Sequence, residues 1–532
     1  MLKRERLLDL AALGVVVAFA AVSCVGLDRF PAAQLDEVWQ AAPGYDFFET
    51  GRFATPIFAG FFGMERHYYG FMPLSPLFLG ASLRLFGLSL GALRLVPLLM
   101  ACGVLALTYL LGRRLFSAAH GLLAIAMLAC WPIAFRLPYL TTGIPLADLA
   151  RIGRYDIPVP VFGLLALLVV APREDGDMAS VRSARFFWAG ALAGLATLCH
   201  AYGAAWLAVI LVPFGIRNLS VCARRAGAAV LGFLLALAPW LVFVASGWQD
   251  FVDQNRNYSP RFALSRVDFF TSNVLREIER YSFVGSAMRR GGVTAWIFAL
   301  SVLAGSLVLA SGARRRPMPR AACFLLGPLL VLAGSFALLL EQKNRMYLAT
   351  IWPFLALIAS VGLLAVVRRL PKGLSFALPL MVAVTCVEGA LAYRRLVIEG
   401  RAATPYAALV KRLHAAVPLG SRVLAVPLTW MDPVPRTADF RALNVPIYLA
   451  SASFVRHPVP FGTAADAVGA DVLIVDRTVS GFLQESRDPK HPFHALGEQM
   501  RAWIESRREG LLADFEDPTY GRFEVWRLRR AP

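Results

Sequence analysis

Apolar runs long enough to cross a bilayer recur from Leu7 down to about Ala392, and no other feature restricts the fold as much. Hydrocarbon offers no hydrogen bonds, so a crossing segment must satisfy its own backbone, and an α-helix does this within one segment. At ~20 residues per crossing, spans are expected near 7–27, 91–111, 119–137, 157–171, 186–200, 202–216, 227–246, 293–311, 321–340, 347–367 and 374–392, about eleven in all. Composition agrees, with 58% hydrophobic and 17% charged residues, a balance outside that of soluble domains. The start "MLKRERLLDL" has the basic opening of a signal peptide. The run behind it is long and lacks a small-residue cleavage site, so it is read as a retained first span.

The net charge of +19 would suggest nucleic acid in a soluble chain. Here the basic residues cluster between apolar runs, and no nucleic-acid module is visible, so orientation and anionic lipid headgroups account for much of the charge. With the N-terminus cytoplasmic, Lys3, Arg4 and Arg6, then Arg113 and Arg114, Arg182 and Arg185, Arg217, Arg224 and Arg225, Arg314 to Arg316 with Arg320, and Arg368, Arg369 and Lys372 all fall on one side. The expectation is a transmembrane domain over 1–394 with a long first outer loop at 28–90, and a small extracytoplasmic α/β domain over 395–532. In the tail, Thr404 and Pro405 signal a helix start. "SRVLAVPL", "ADVLIVD" and "RFEVWRLRR" read as strands. The loop stretch "YYGFMPLSPLFLGASLRLFG" reads as helices along the membrane surface, and the outer segment "FFTSNVLREIERY" reads as an amphipathic helix. Seven cysteines, mostly within apolar runs and without a CxxC pair, argue against a disulfide framework or a metal cluster.

Ionisable groups are costly in the bilayer centre, and this chain gathers them at the outer ends of its spans. Asp36 and Glu37 follow the first span in "QLDEVWQ". "ADLARIGRYDIPVPVFG" brings Asp148, Arg151, Arg154 and Asp156. "TLCHAYG" brings His200, and "EQKNRMY" brings Glu341, Lys343, Asn344, Arg345 and Tyr347. Acids suit deprotonation of a hydroxyl, and Arg and Lys suit a phosphate. The mixture is what transfer from a phosphorylated donor to an alcohol requires. The converging acids are compatible with a divalent metal ion, yet no spacing matches a dedicated metal site.

The order of these motifs resembles the GT-C glycosyltransferases, membrane enzymes that use polyprenyl-phosphate sugars. It is similar to bacterial relatives of the protein O-mannosyltransferases and lipid A aminoarabinose transferases. "LDEVWQ", "FMPLSPLFLGASLRLFGLSLGALRLVPLL", "RYDIPVPVFGLLAL", "GLATLCHAYG" and "KNRMYLATIWPFLALIA" carry the likeness over most of residues 1–370. Several relatives have a Lys-Pro-Pro segment in the first outer loop, with the lysine near the donor phosphate. Here "GFMPLSP" has no lysine, which shifts the phosphate to Arg154, Lys343 or Arg345.

The resemblance implies an enzyme of the inner (plasma) membrane that moves a sugar from a polyprenyl-phosphate donor to a hydroxyl on a glycan, lipid or protein at the outer face. It implies a first-loop carboxylate as general base. Adjacent helical residues point ~100° apart, so the two acids cannot share one atom. Asp36 is expected to be the base, Glu37 to orient the acceptor or a loop, and Asp156 to assist. Tyr68, Tyr69, His200 and Tyr347 are candidate substrate contacts. Each has a plain alternative: a span end for Asp36, a local ion pair for Arg154 and Asp156, headgroup contacts for Lys343 and Arg345, a turn residue for His200, and an interfacial aromatic belt for Tyr68 and Tyr69. Two other functions compete, a transporter or flippase of a lipid-linked sugar and a non-catalytic glycolipid-binding subunit.

Overall fold

The computed structural model describes residues 2–133, 142–172, 181–214, 219–258, 267–280, 292–313, 320–340, 343, 345–369, 371, 376–430 and 437–530. The chain divides into two compact units, each assembled from separated stretches. The first takes 1–25, 97–241 and 264–399, and the second takes 26–96, 242–263 and 400–532.

The first unit is helical. A helix falls in each of the expected apolar segments, among them Leu2–Cys24, Ala118–Cys130, Pro158–Val170, Ser183–Cys199, Leu219–Ser246, Val293–Ala313, Arg320–Leu339, Trp352–Arg369 and Ala377–Ala402. Among the described residues, six helices, Leu90–Leu115 one of them, are long and apolar enough to cross a membrane. Others are short: the 13 residues of Ala118–Cys130 rise only about 20 Å, against ~30 Å of hydrocarbon. Leu7, Leu10, Leu13 and Val17 are more than half exposed along one helix, a stripe suited to lipid rather than water. Helices Val293–Ala313 and Trp352–Arg369 meet through small residues. A Cβ on Gly305 would lie 1.9 Å from the Ile358 carbonyl oxygen, and one on Gly362 would lie 2.0 Å from that of Ser301. Without a hydrophobic drive between helices in lipid, close backbone approach of this kind supplies the attraction.

The amphipathic helix expected in "FFTSNVLREIERY" forms as Val267–Arg280, with its faces inverted relative to a soluble protein. Phe269, Asn273, Glu277 and Arg280 are buried, whereas Val267, Leu275 and Ile278 are more than 60% exposed. Such a helix is stable where its outer face meets apolar solvent.

In the second unit, helices Leu35–Thr50 and Leu74–Phe86 cross at two glycines. A Cβ on Gly44 would sit 1.8 Å from the Pro76 carbonyl oxygen, and one on Gly80 would sit 2.1 Å from the Gly44 carbonyl carbon. The tail begins with helix Tyr406–Ala416, capped by Pro405 rather than Thr404, a one-residue difference within the ordinary uncertainty of helix ends. Its sheet contains β1 (Ser421–Ala425), β2 (Thr437–Ala442), β3 (Val472–Val475), β4 (Arg508–Asp517) and β5 (Gly521–Leu528). The strand order is β2-β1-β3-β5-β4. β1 runs parallel to β2 and β3, while β5 is antiparallel to β3 and β4. The three strands expected from sequence are the three interior ones.

Candidate active site

The candidate residues fall into groups that are connected within each unit. In the second unit, Gln34 opens helix Leu35–Thr50 with a reciprocal capping box. Its backbone N–H donates to Glu37 Oε2 at 2.9 Å, and its side chain accepts from the Glu37 N–H. Glu37 is fully buried against Arg94, which donates from Nε to Oε1 and from Nη2 to Oε2, both at 2.8 Å. Arg94 spends its other N–H groups on the carbonyls of Leu27, Pro31 and Ala32. Glu37 and Arg94 together clamp the loop. Arg94 was not singled out in the sequence; an arginine inside "GALRLVPLLM" is the signal that finds it.

Asp36 stands one residue earlier and is half-buried. Its carboxylate is felt at Tyr68, a fully buried phenol raised well above its usual range by burial first, then by Tyr258, with Asp36 and Tyr448 adding to the shift. Trp39 stacks on Tyr448 at 5.4 Å and 28°, so an aromatic wall drawn from the first loop and the tail flanks the helix that bears Asp36. Tyr69 is occupied otherwise: its hydroxyl donates to the Phe243 carbonyl at 3.0 Å, and its N–H donates to Gln254 Oε1 at 2.8 Å. Asp250 takes the Arg66 guanidinium and lies 2.8 Å from His67 Nδ1. This ties the first loop to helix Trp248–Asn257.

In the first unit, Arg154 Nε donates to Asp156 Oδ2 at 2.9 Å, and both groups are buried. Arg154 Nη2 also reaches the Tyr155 hydroxyl at 3.3 Å, which lies 3.3 Å from that of Tyr347. His200 packs 4.3 Å from the Tyr155 ring and 4.4 Å from the Tyr202 ring, with Tyr347 5.5 Å away. Tyr202 donates to the Asp156 carbonyl at 3.4 Å. The structure thus gathers Arg154, Asp156, His200 and Tyr347 in one cluster, from three stretches of sequence. It adds Tyr155 and Tyr202, which stand inside the quoted motifs "RYD" and "CHAYG".

Lys343 belongs to a different cluster of that unit. Its ammonium lies 3.4 Å from Glu277 Oε2 and donates to the Phe336 and Ala337 carbonyls, at the C-terminal end of helix Arg320–Leu339. Glu277 also pairs with Arg280. Arg345 opens the turn Arg345–Thr350 that carries Tyr347. Asp148 accepts from Thr142 and Gly143 and shapes its own loop. Glu341 and Asn344 lie outside the described residues.

No protein-family model and no curated protein matches the chain. Solved structures do. ArnT from Cupriavidus metallidurans, bound to undecaprenyl phosphate, superposes with a TM-score of 0.57 at 14% identity, covering 97% of this chain and 97% of that one. The oligosaccharyltransferase of Archaeoglobus fulgidus, in complex with zinc and sulfate, gives 0.53 at 15% identity, covering 96% and 72%. The same archaeal enzyme, AglB, with an inhibitory peptide and a dolichol-phosphate gives 0.51 at 15% identity, covering 96% and 74%.

The fold is the GT-C fold. It accounts for a mostly helical, multi-pass membrane chain ending in a small sheet-bearing tail. One GT-C neighbour holds zinc. Among the described residues of this chain, no group of three or more His, Cys, Asp or Glu is arranged to hold a metal ion.

Proposed function

We propose that the chain is a membrane glycosyltransferase that moves a sugar from a polyprenyl-phosphate donor to a hydroxyl acceptor, on a glycan, lipid or protein, at the outer face of the inner membrane. The observation that carries this reading is fold likeness along 97% of both chains to a protein whose structure holds undecaprenyl phosphate. The basic clusters support a cytoplasmic N-terminus and an extracytoplasmic domain over 395–532.

In the proposed reaction the Asp36 carboxylate takes the proton of the acceptor hydroxyl. The oxygen attacks the anomeric carbon as the bond from that carbon to the phosphate oxygen breaks, which inverts the centre. A hydroxyl is a weak nucleophile until a base removes its proton. A phosphate leaves readily when cations meet its growing charge, so no strong acid is needed. Arg154, Lys343 and Arg345 are proposed to meet that charge, with Asp156 holding the Arg154 guanidinium at a fixed angle. Tyr68, His200 and Tyr347 are proposed substrate contacts, and Tyr69 a support behind them.

The test is mass spectrometry of envelope glycans, lipids and glycoproteins with and without the protein. The reading expects a sugar-sized mass increment that disappears on deletion and is not restored by Asp36→Asn. Restoration by that variant would refute Asp36 as base. An unchanged envelope together with donor-independent lipid transport in vesicles would refute the enzyme itself. Reporter fusions at Arg369 and Arg401 should report opposite sides of the membrane.

A further inference from the structure

The tail domain contains a cavity of about 430 Å³ that the proposed transfer does not use. It lies at the amino ends of β1 and β3 and the carboxyl end of β5, lined by Arg422, Asp439, Asp466, Trp503, Arg507 and Arg529 among others. Its size is within the ~300–1,000 Å³ of small-molecule sites. Open parallel sheets usually bind ligands at the other end of their strands. What distinguishes this cavity is the chemistry of its lining.

Two carboxylates hold two guanidiniums in place. Asp439 Oδ2 accepts from Arg422 Nε at 2.6 Å and from Arg441 at 2.9 Å. Asp466 accepts from Arg507 Nη2 at 2.7 Å and from the Trp503 indole at 2.8 Å. Arg422 and Arg507 each make one further bond, to the carbonyls of Val468 and Arg530. Each thus uses two of the five N–H groups a guanidinium carries and keeps donors in a pre-set orientation. Arg529 is exposed, and its side chain makes no hydrogen bond with the described residues. The lining contains four arginines against three aspartates, a surplus of one positive charge. Planar guanidiniums match phosphate and carboxylate oxygens in pairs. Trp503 adds an aromatic surface, and the carboxylates add acceptors for hydroxyls.

We propose that this cavity binds a saccharide bearing a phosphate or carboxylate group. The anion would engage Arg507, Arg422 and Arg529, with the sugar against Trp503. The assignment does not depend on glycosyl transfer. If transfer also holds, the cavity is a docking point for an anionic acceptor.

The test is a titration of full-length detergent-solubilised protein, read by tryptophan fluorescence and by isothermal calorimetry. Its arms are a hexose 1-phosphate, the same hexose uncharged, and inorganic phosphate. The hexose phosphate should bind more tightly than either other probe and lose affinity as salt rises. Arg507→Gln should weaken it roughly tenfold, the loss expected for one charge-assisted bond. Because Arg507 also braces Asp466, Arg529→Gln serves as a second variant that disturbs no internal bond; it should weaken binding with an unchanged melting temperature. Asp36→Asn should bind the hexose phosphate as the parent does, so a failure of the transfer reading and a failure of this one give different results. No hexose phosphate binding, binding indifferent to both arginine variants, or inorganic phosphate binding equally well would each overturn the proposal.

Discussion

Two buried arginine–carboxylate pairs in this molecule are alike in chemistry and differ in their surroundings. Arg94 and Glu37 satisfy each other bidentately, and every remaining N–H of Arg94 goes to a backbone carbonyl of the loop it clamps. Arg154 and Asp156 share one bond and stand among the side chains of Tyr155, His200, Tyr202 and Tyr347. Backbone oxygens cannot be exchanged for a ligand without unfolding the loop, whereas side-chain hydroxyls and imidazoles can. A pair closed by backbone is architecture, and a pair set among polar side chains is where chemistry is to be sought. Of the two acids of "DE", Glu37 is bound into the loop, and Asp36 is the one proposed as base.

The strongest way to break this comparison is Asp36→Asn. It keeps size and removes the base, and should lower the rate of transfer ~10²–10⁴-fold with donor affinity and melting temperature nearly unchanged. Equal losses in rate and stability would mean that Asp36 too is architectural. Next comes Arg94→Met. Leaving Glu37 buried without its partner should cost about 3–5 kcal/mol, seen as a large drop in the melting temperature of the solubilised protein. Arg94→Met with Glu37→Leu should recover part of that loss. A single variant as stable as the parent would show that the pair is not a clamp. Third, Arg154→Gln should raise the apparent dissociation constant for a polyprenyl-phosphate sugar roughly tenfold with a smaller loss of stability than Arg94→Met. If the stability losses are equal, the distinction between the two pairs fails.

The same contrast explains what was legible in the sequence. The apolar runs marked the helices of the first unit because lipid demands a continuous signal. The interior strands are legible for related reasons: in β3 "VLIV" is buried throughout, and a strand covered on both faces reads as an apolar run, while β5 alternates buried Phe523 and Val525 with half-buried or exposed residues. The edge strands β2 and β4 were missed. β4, "REGLLADFED", alternates exposure along its length and carries charge, which is how sheet edges avoid unwanted pairing. At the site, Asp36, Arg154, Asp156, His200 and Tyr347 stood out as polar groups at span ends. Arg94 did not, because its partner lies 57 residues away in the chain and only the fold brings them together. Lys343 was visible as a cation, but its tie to Glu277 depends on a helix whose buried face is polar, the reverse of the usual pattern.

A pH-dependent effect lies at the other end of the helix that carries Asp36. Asp46 has its carboxyl pushed up to about 7, chiefly by burial and further by Glu49, with Thr55 acting in the opposite direction. Its ordinary value is near 3.8. The folded chain therefore keeps a proton that the unfolded chain has already released, and ionising the group in place is unfavourable. The sign follows: this contribution to stability is fully present below pH ~4, is lost as pH rises toward about 7, and is flat above that. Glu37, at the start of the same helix, differs in being paired with Arg94. Melting temperatures of the parent between pH 5 and pH 8 should fall more steeply than those of Asp46→Asn, whose amide has no proton to lose. Parallel slopes would show that Asp46 is already ionised in the folded chain. The two ends of helix Leu35–Thr50 would then be held by the same kind of interaction rather than by different ones.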